Sequence, residues 1–176
     1  NYFARAQMYG SVLSGGLSGH VHGTAAYDIT STGEPAGARP HIWDALNYES
    51  ANYMQHLNAF VQSEGRRYQD LLLASDQISP RKAPGSPEDG LDGWSYMMRT
   101  AENDLALLYF ENRSVLPILK GFTPSKTYTF KWFDPLNGQW QKAISITADG
   151  EGSLSVPNFP QDEKITSCDW AAKITL

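Results

Sequence analysis

The chain has 176 residues, of which 41% are hydrophobic, 12% aromatic and 19% charged, a composition typical of a globular protein rather than a disordered one. Its 14 basic and 19 acidic residues give a net charge of −5 without a Lys/Arg cluster, so we expect no binding to nucleic acid and no polybasic contact with a membrane surface. No apolar run approaches the ~20 residues that insert into a bilayer, and the single cysteine, Cys168, excludes an internal disulfide, CxxC zinc sites and iron–sulfur clusters.

The first half of the chain has the pattern of helices around one strand. Apolar side chains at three- and four-residue spacing predict helices over 2–14 and 50–63 and a shorter one over 66–74. Residues 17–23 are bounded by glycines and indicate a strand, and 24–43 have the composition of a long loop. The two longer helices would each present an apolar stripe, built from Met8, Tyr9, Val12, Leu13, Met54, Leu57, Phe60 and Val61.

The chain changes character at segment 80–93. This segment contains three Pro and three Gly, a density typical of a linker or a long surface loop. After it, alternation of polar and apolar residues and a strong turn signal at 134–138 predict short strands in an antiparallel β-sandwich. The part before it is too small to bury its own apolar stripes. The seven candidate strands lie within 94–100, 105–111, 115–119, 127–132, 143–148, 154–156 and 170–176.

Three stretches of the first half, taken together, resemble one protein family. They are Arg5–Gly16, which ends in Gly-Gly, then Ser18–Gly23, which reads Ser-Gly-His-Val-His-Gly, and then the pair Ile42-Trp43. In this order they resemble the last βα unit of the apiosidase-like glycoside hydrolases, in which a (β/α)8 barrel is followed by a small β-sandwich labelled collagen-binding. Residues 94–176 resemble that sandwich, chiefly at Leu107–Phe110, Tyr128–Pro135 and Asn137-Gly138.

The resemblance implies a fold of class α/β plus all-β. Residues 1–79 would be the C-terminal part of a (β/α)8 barrel, 80–93 a linker or surface loop, and 94–176 the antiparallel β-sandwich. It also implies a bacterial, secreted or periplasmic glycoside hydrolase acting on plant or microbial polysaccharide. The family's catalytic carboxylates lie on earlier barrel strands. We therefore expect the catalytic residues upstream of this chain, and the N-terminal part of the same barrel as its partner.

Two histidines on the predicted strand are the first candidate site residues. His20 and His22 are two positions apart, so their side chains point to the same face. In a barrel, that face either lines the active site, with hydrogen bonds to sugar hydroxyls or to a catalytic carboxylate, or packs in the interior. His-x-His can also bind a metal ion if a third ligand is supplied, and the nearest are Asp28, Glu34 and His41. The family usually has Tyr at the position of His22.

A tryptophan at the end of the long loop is the third candidate. Trp43 either stacks on the apolar face of a sugar ring or anchors the loop. We expect the acidic residues in or near the loop to be solvated groups or charges at the start of a helix rather than a catalytic pair. We therefore take His20, His22 and Trp43 as the candidate substrate-binding residues, and we expect no metal and no cofactor. The acids considered are Asp28, Glu34, Asp44 and Glu49.

The alternative function is non-catalytic: a carbohydrate- or protein-binding β-sandwich module with a helical docking segment. Aromatic side chains in the second half could form a platform for sugar. Their alternating spacing is more typical of a buried core, and only Trp140, beside the predicted turn, is expected to be exposed. The aromatic residues considered are Tyr128, Phe130, Trp132, Trp140 and Trp170.

Overall fold

The computed structural model describes residues 2–17, 48–87 and 90–176. These residues form two α-helices, α1 (Tyr2–Leu13) and α2 (Glu49–Val61), and ten β-strands. Among them, no helix has the length and apolar character needed to cross a membrane. The strands are β1 (Leu72–Leu73), β2 (Ile78–Ser79), β3 (Ser95–Arg99), β4 (Leu105–Phe110), β5 (Ile118–Leu119), β6 (Thr127–Asp134), β7 (Gln139–Trp140), β8 (Ile144–Thr147), β9 (Leu154–Ser155) and β10 (Trp170–Thr175).

Seven of the strands form one antiparallel sheet. Its order is β1-β3-β4-β10-β6, and both β7 and β8 pair with the outer edge of β6. β4 and β10 lie at the centre and pair along their whole length, with Phe110 opposite Trp170 and Leu105 opposite Thr175. All six residues of β4 are buried. A strand that is apolar throughout is expected where both faces of a sheet are covered.

A three-stranded antiparallel sheet, β2-β5-β9, covers one face of the large sheet. The two sheets share a core rich in aromatic rings. The Trp132 ring lies 4.8 Å from Phe130, 5.2 Å from Phe159 and 5.4 Å from Phe110, centroid to centroid. We refer to the two sheets and this core as the sandwich. The prediction that Tyr128, Phe130, Trp132 and Trp170 are core residues is confirmed, since each is at most 7% exposed.

The two helices cover the other face of the large sheet. Tyr9, Leu13 and Phe60 are fully buried there against Leu107 and Tyr109 of β4. Burying one such side chain contributes roughly 1.5–3 kcal/mol. Six of the eight stripe residues are buried, and only Met54 and Val61 of the stripes stay partly exposed. The part of the chain before 80–93 does not bury these stripes by itself, as expected, and the sandwich covers most of their length.

The region between α2 and β3 differs from its prediction in two ways. A 3₁₀-helix over Gly65–Asp70 followed by β1 replaces the predicted helix over 66–74. The reason is that Leu72 and Leu73 adopt an extended conformation to pair with Arg99 and Met98. The sheets also begin before segment 80–93, since β1 and β2 precede it. The described residues of that segment, 80–87 and 90–93, lie in the connection between β2 and β3, where the Ala83 N–H donates to Gly93 O at 2.8 Å.

Two local signals in the sequence have the conformations expected of them. α1 ends where Gly15 adopts φ 108°, and the N–H groups of Gly15 and Gly16 donate to Val12 O and Ser11 O, both at 3.1 Å. The turn between β6 and β7 closes at Gly138, with φ 68°. There, Asp134 Oδ1 accepts the Leu136 N–H at 2.8 Å, so the predicted hairpin is confirmed.

Candidate functional site

The three candidate substrate-binding residues, His20, His22 and Trp43, lie outside the described residues, as do Asp28, Glu34, His41 and Asp44. Their roles as active-site, structural or metal-binding groups stay predictions. Glu49 is described, and its Oε2 accepts the Tyr53 hydroxyl at 3.1 Å in the first turn of α2. Within 2–17, 48–87 and 90–176, no cluster of three His, Cys, Asp or Glu residues is arranged to hold a metal ion.

The described residues do contain a buried polar network where α1 meets the large sheet. We call it the junction cluster. At its centre Arg5 forms a bidentate ion pair with Asp169. The Arg5 Nη2 lies 2.6 Å from Asp169 Oδ1, and the Arg5 Nε donates to Asp169 Oδ2 at 3.0 Å. Both residues are buried, at 6% and 3% exposed. The cluster comprises Tyr2, Arg5, Tyr53, Tyr96, Tyr109, Glu111 and Asp169.

Aromatic residues complete the surroundings of this ion pair. The Tyr109 hydroxyl donates to Asp169 Oδ2 at 3.0 Å, and the Arg5 guanidinium lies 4.9 Å from the centre of the Tyr53 ring. Burial and the charge of Asp169 raise the pKa of Tyr109 well above its ordinary value. Burial alone would lower the pKa of Arg5, but the hydrogen bond and charge of Asp169 outweigh it and raise that pKa. The Arg5 guanidinium therefore keeps its positive charge beside Asp169.

Glu111 is the second buried carboxylate of the junction cluster, and no solvent reaches it. It accepts the Tyr96 hydroxyl at 3.0 Å and the Trp94 N–H at 3.2 Å. Burial raises its pKa to about 7, although these two hydrogen bonds oppose the shift. Next to it, the Tyr2 hydroxyl donates to Leu91 O and accepts the Asn112 N–H at 3.2 Å. α1 is thus attached at its first turn, by Tyr2 to the backbone at Leu91 and Asn112 and by Arg5 to Asp169.

The junction cluster is built to hold parts of the chain together, not to act on a substrate. A glycosidase needs two carboxylates at the scissile bond, roughly 5–10 Å apart and open to substrate and water. Glu111 and Asp169 are both buried, and the lone pairs of Asp169 are occupied by Arg5 and Tyr109. The perturbed pKa of Glu111 therefore reports burial rather than catalysis.

Two residues of the junction cluster carry a local signal in the sequence. Arg5 stands among the apolar positions of α1, four residues before Tyr9, and an arginine in such a stripe is typically paired. Glu111 follows six apolar residues of β4, on the same face as Tyr109. The partner of Arg5 could not be identified because it lies 164 positions away in the sequence.

A groove of about 500 Å³ lies between α1, α2 and the first 3₁₀-helix. Its walls are apolar, from Val12, Leu17, Met54, Val61 and Tyr68, and it is also lined by the amide residues Gln55, Asn58 and Gln62. Leu17 is the last described residue before the segment that carries the candidate substrate-binding residues. This groove contains no carboxylate, and three further clefts formed by described residues contain at most one each. The described residues therefore do not supply a glycosidase acid pair in any of these clefts.

Trp140, the aromatic residue expected to be exposed, is half-buried under α2. Its ring lies 4.7 Å from Phe133 and 5.8 Å from Phe60. The Lys173 ammonium lies 4.7 Å from the ring centre and pairs with Glu64 at 2.5 Å. Trp140 therefore contributes to the attachment of α2 rather than to an open sugar platform.

Comparison with known proteins gives likeness at the level of structure. No family model matches the sequence, and no curated protein matches it significantly. A solved structure described as a glycoside hydrolase matches 99% of this chain with a TM-score of 0.69 and 19% identity. A glycoside hydrolase family 5 protein from Bacteroides vulgatus matches 99% with a TM-score of 0.68 and 17% identity. The chain spans 36% of the length of each of these proteins, and at such identities the likeness concerns the fold alone.

Proposed function

We propose that this chain is the C-terminal part of a glycoside hydrolase, in which α1 and α2 are outer helices of a (β/α)8 barrel and the sandwich is an accessory domain fixed to them. One observation carries the proposal. The likeness to glycoside hydrolases covers 99% of the chain, so it includes the two helices as well as the sandwich. A likeness confined to the sandwich would leave the residues of the two helices unmatched.

The segment between the two helices carries the proposed sugar-binding residues. Residues 18–47 connect Leu17, just after α1, to Tyr48, just before α2. α1 is held by the junction cluster, and α2 by Phe60 and Trp140 against the large sheet. The sandwich therefore holds both helices that flank the segment with His20, His22 and Trp43. In a barrel enzyme, holding these helices in place would keep substrate-binding side chains close to the positions that catalysis requires.

In the finer form of the proposal, the enzyme is apiosidase-like and secreted or periplasmic, and its substrate is a plant or microbial polysaccharide. His20 and His22 donate hydrogen bonds to sugar hydroxyls or to a catalytic carboxylate, and Trp43 stacks on a sugar ring. The acid/base and nucleophile, or the acid and base, lie in the barrel part that precedes this chain. This barrel part is the proposed protein partner.

The test is hydrolysis of polysaccharides by a protein that contains the proposed barrel sequence followed by this chain. We expect reducing sugar to be released from at least one plant or microbial polysaccharide. His20→Ala is expected to lower kcat/KM about 10²-fold or more with an unchanged melting temperature, because one lost transition-state hydrogen bond has that effect. Gln139→Ala, an exposed position on β7, is the control and should keep full activity. A His20→Ala variant that loses stability but keeps its specific activity would make His20 a packing residue.

A further inference from the structure

A second cleft of about 500 Å³ opens at the edge of the sandwich, away from the helices. One wall is the chain between β7 and β8 on the outer edge of β6. The other is the loop 157–162, which follows β9 at the edge of the small sheet. Its volume falls within the range of small-molecule sites. We call it the edge cleft, and it is lined by Trp132, Gln141, Lys142, Ile144, Pro157, Asn158, Phe159, Pro160, Gln161 and Asp162.

The base of the edge cleft is rigid. The Trp132 indole N–H donates to Asn158 O at 3.1 Å, and Phe159 is 1% exposed beneath the loop. The backbones of Phe159 and Glu163 exchange two hydrogen bonds, at 3.0 and 3.3 Å, which close the loop between them. The cleft is thus formed before any ligand arrives, which lowers the entropic cost of binding.

The loop that forms the outer wall is held in a strained conformation. Gln161 and Asp162 are consecutive non-glycine residues with φ 72° and 63°. Positive φ at a residue other than glycine costs of order 1–3 kcal/mol and is found where the surrounding structure enforces it, commonly at binding sites. The loop presents both side chains at the cleft, and the Asn158 amide donates to Asp162 Oδ1.

The lining of the edge cleft indicates which ligand would fit. Within the described residues, the side chains of Gln141, Lys142 and Gln161 are exposed and make no hydrogen bond to protein. Lys142 and Asp162 carry opposite charges, so a ligand without net charge suits the cleft. Amides that both donate and accept suit hydroxyl groups, which do the same. Ile144, 38% exposed, and two prolines offer apolar contact for C–H groups.

We propose that the edge cleft binds a neutral oligosaccharide segment through Gln141 and Gln161. This would be a second sugar site, on the sandwich, separate from the one proposed for His20, His22 and Trp43. A site on an accessory domain would hold the enzyme on its polysaccharide while the barrel acts. The choice of sugar over another neutral polyhydroxyl ligand rests on the proposed function.

The test is affinity electrophoresis of the 176-residue chain in gels that contain xyloglucan, arabinoxylan, galactomannan, mixed-linkage β-glucan or pectic galactan. We expect retardation by at least one of these. Each of Gln141→Ala and Gln161→Ala should weaken the affinity about threefold to tenfold, as expected for the loss of one or two hydrogen bonds. Gln139→Ala is the matched control, since Gln139 is an exposed glutamine on the same edge that does not line the cleft.

The outcomes separate this site from the barrel site. Retardation that is lost in the Gln141→Ala/Gln161→Ala double variant and kept in Gln139→Ala and in His20→Ala/Trp43→Ala supports the edge cleft. Absence of retardation on all five polysaccharides overturns it. So does unchanged binding by the Gln141→Ala/Gln161→Ala variant, with melting temperatures within a degree of the parent chain. Binding by this chain without hydrolysis by the longer protein would keep the edge cleft and reject the proposed enzyme.

Discussion

Replacing Glu111 with Gln is expected to remove a loss of stability that the parent chain shows as the pH rises from about 4.5 to about 7. Glu111 is fully buried and its pKa is raised from 4.5 to about 7. A group whose pKa is higher in the folded state binds its proton more tightly there. Its contribution to stability is therefore complete below pH 4.5 and is lost as the pH rises to about 7.

The magnitude follows from the size of the shift. A difference of about 2.5 pH units, at 1.36 kcal/mol each, corresponds to about 3 kcal/mol of unfolding free energy. Gln has the shape of the protonated glutamic acid and can keep both hydrogen-bond contacts, from the Trp94 N–H and with the Tyr96 hydroxyl. At pH 4 we therefore expect the variant and the parent chain to be about equally stable. Above pH 8 the variant should be more stable by about 3 kcal/mol.

The assay is urea denaturation followed by tryptophan fluorescence at pH values from 4 to 9, with Glu102→Gln as the control because Glu102 is exposed. The control should show the pH dependence of the parent chain. A stability difference between parent and Glu111→Gln that does not change with pH, or that reverses in sign, would refute the account of Glu111 as a buried carboxyl that is neutral below about pH 7.

Three further predictions concern the attachment of the helices. Arg5→Ala should lower the free energy of unfolding by about 3–5 kcal/mol, because Asp169 is left as a buried unpaired charge, and a loss below 1 kcal/mol in urea denaturation would contradict this. Phe60→Ala should cost about 3–5 kcal/mol and lower the melting temperature of the sheet signal in circular dichroism together with that of the helices, whereas two separate transitions would mean that helices and sheets unfold independently. Limited proteolysis within 80–93 should give two fragments that co-elute in size-exclusion chromatography and separate in urea, because β1 and β2 precede the cut and pair with strands after it. A free, stable 94–176 fragment would contradict this.

The extent to which the fold can be predicted depends on how local its signals are. β6 was predictable because Thr127–Asp134 alternates polar and aromatic residues, and its turn because Asp134 and Gly138 have specific backbone roles. β1 and β2 were missed because a two-residue strand is defined by its partner across the sheet, not by a pattern of its own. The helix expected over 66–74 was wrong for the same reason, since strand pairing at Leu72 overrides helical spacing.

The position of the helices was the larger omission. Their apolar stripes identify buried faces, and Met8 and Phe60 are indeed fully buried, but a stripe does not say which surface covers it. The helices are covered by the second face of the large sheet. The sequence indicates this second buried face in β4, which is apolar at six consecutive positions instead of alternating. A strand of this kind in an antiparallel sheet indicates that something packs on both sides. For the candidate site, Arg5 and Asp169 show the same limit, because their pairing spans nearly the whole chain.

The crystal structure of the longer protein, with the proposed barrel sequence preceding this chain, is the measurement that tests the central claim most directly. The account predicts a (β/α)8 barrel in which α1 and α2 are outer helices and residues 17–23 form a strand between them. It also predicts the Arg5–Asp169 pair at the contact with the sandwich, and His20 within hydrogen-bond distance of a carboxylate or a bound sugar. Helices α1 and α2 packed on the sandwich with no parallel strands beside them, or His20 facing away from any cavity, would contradict it.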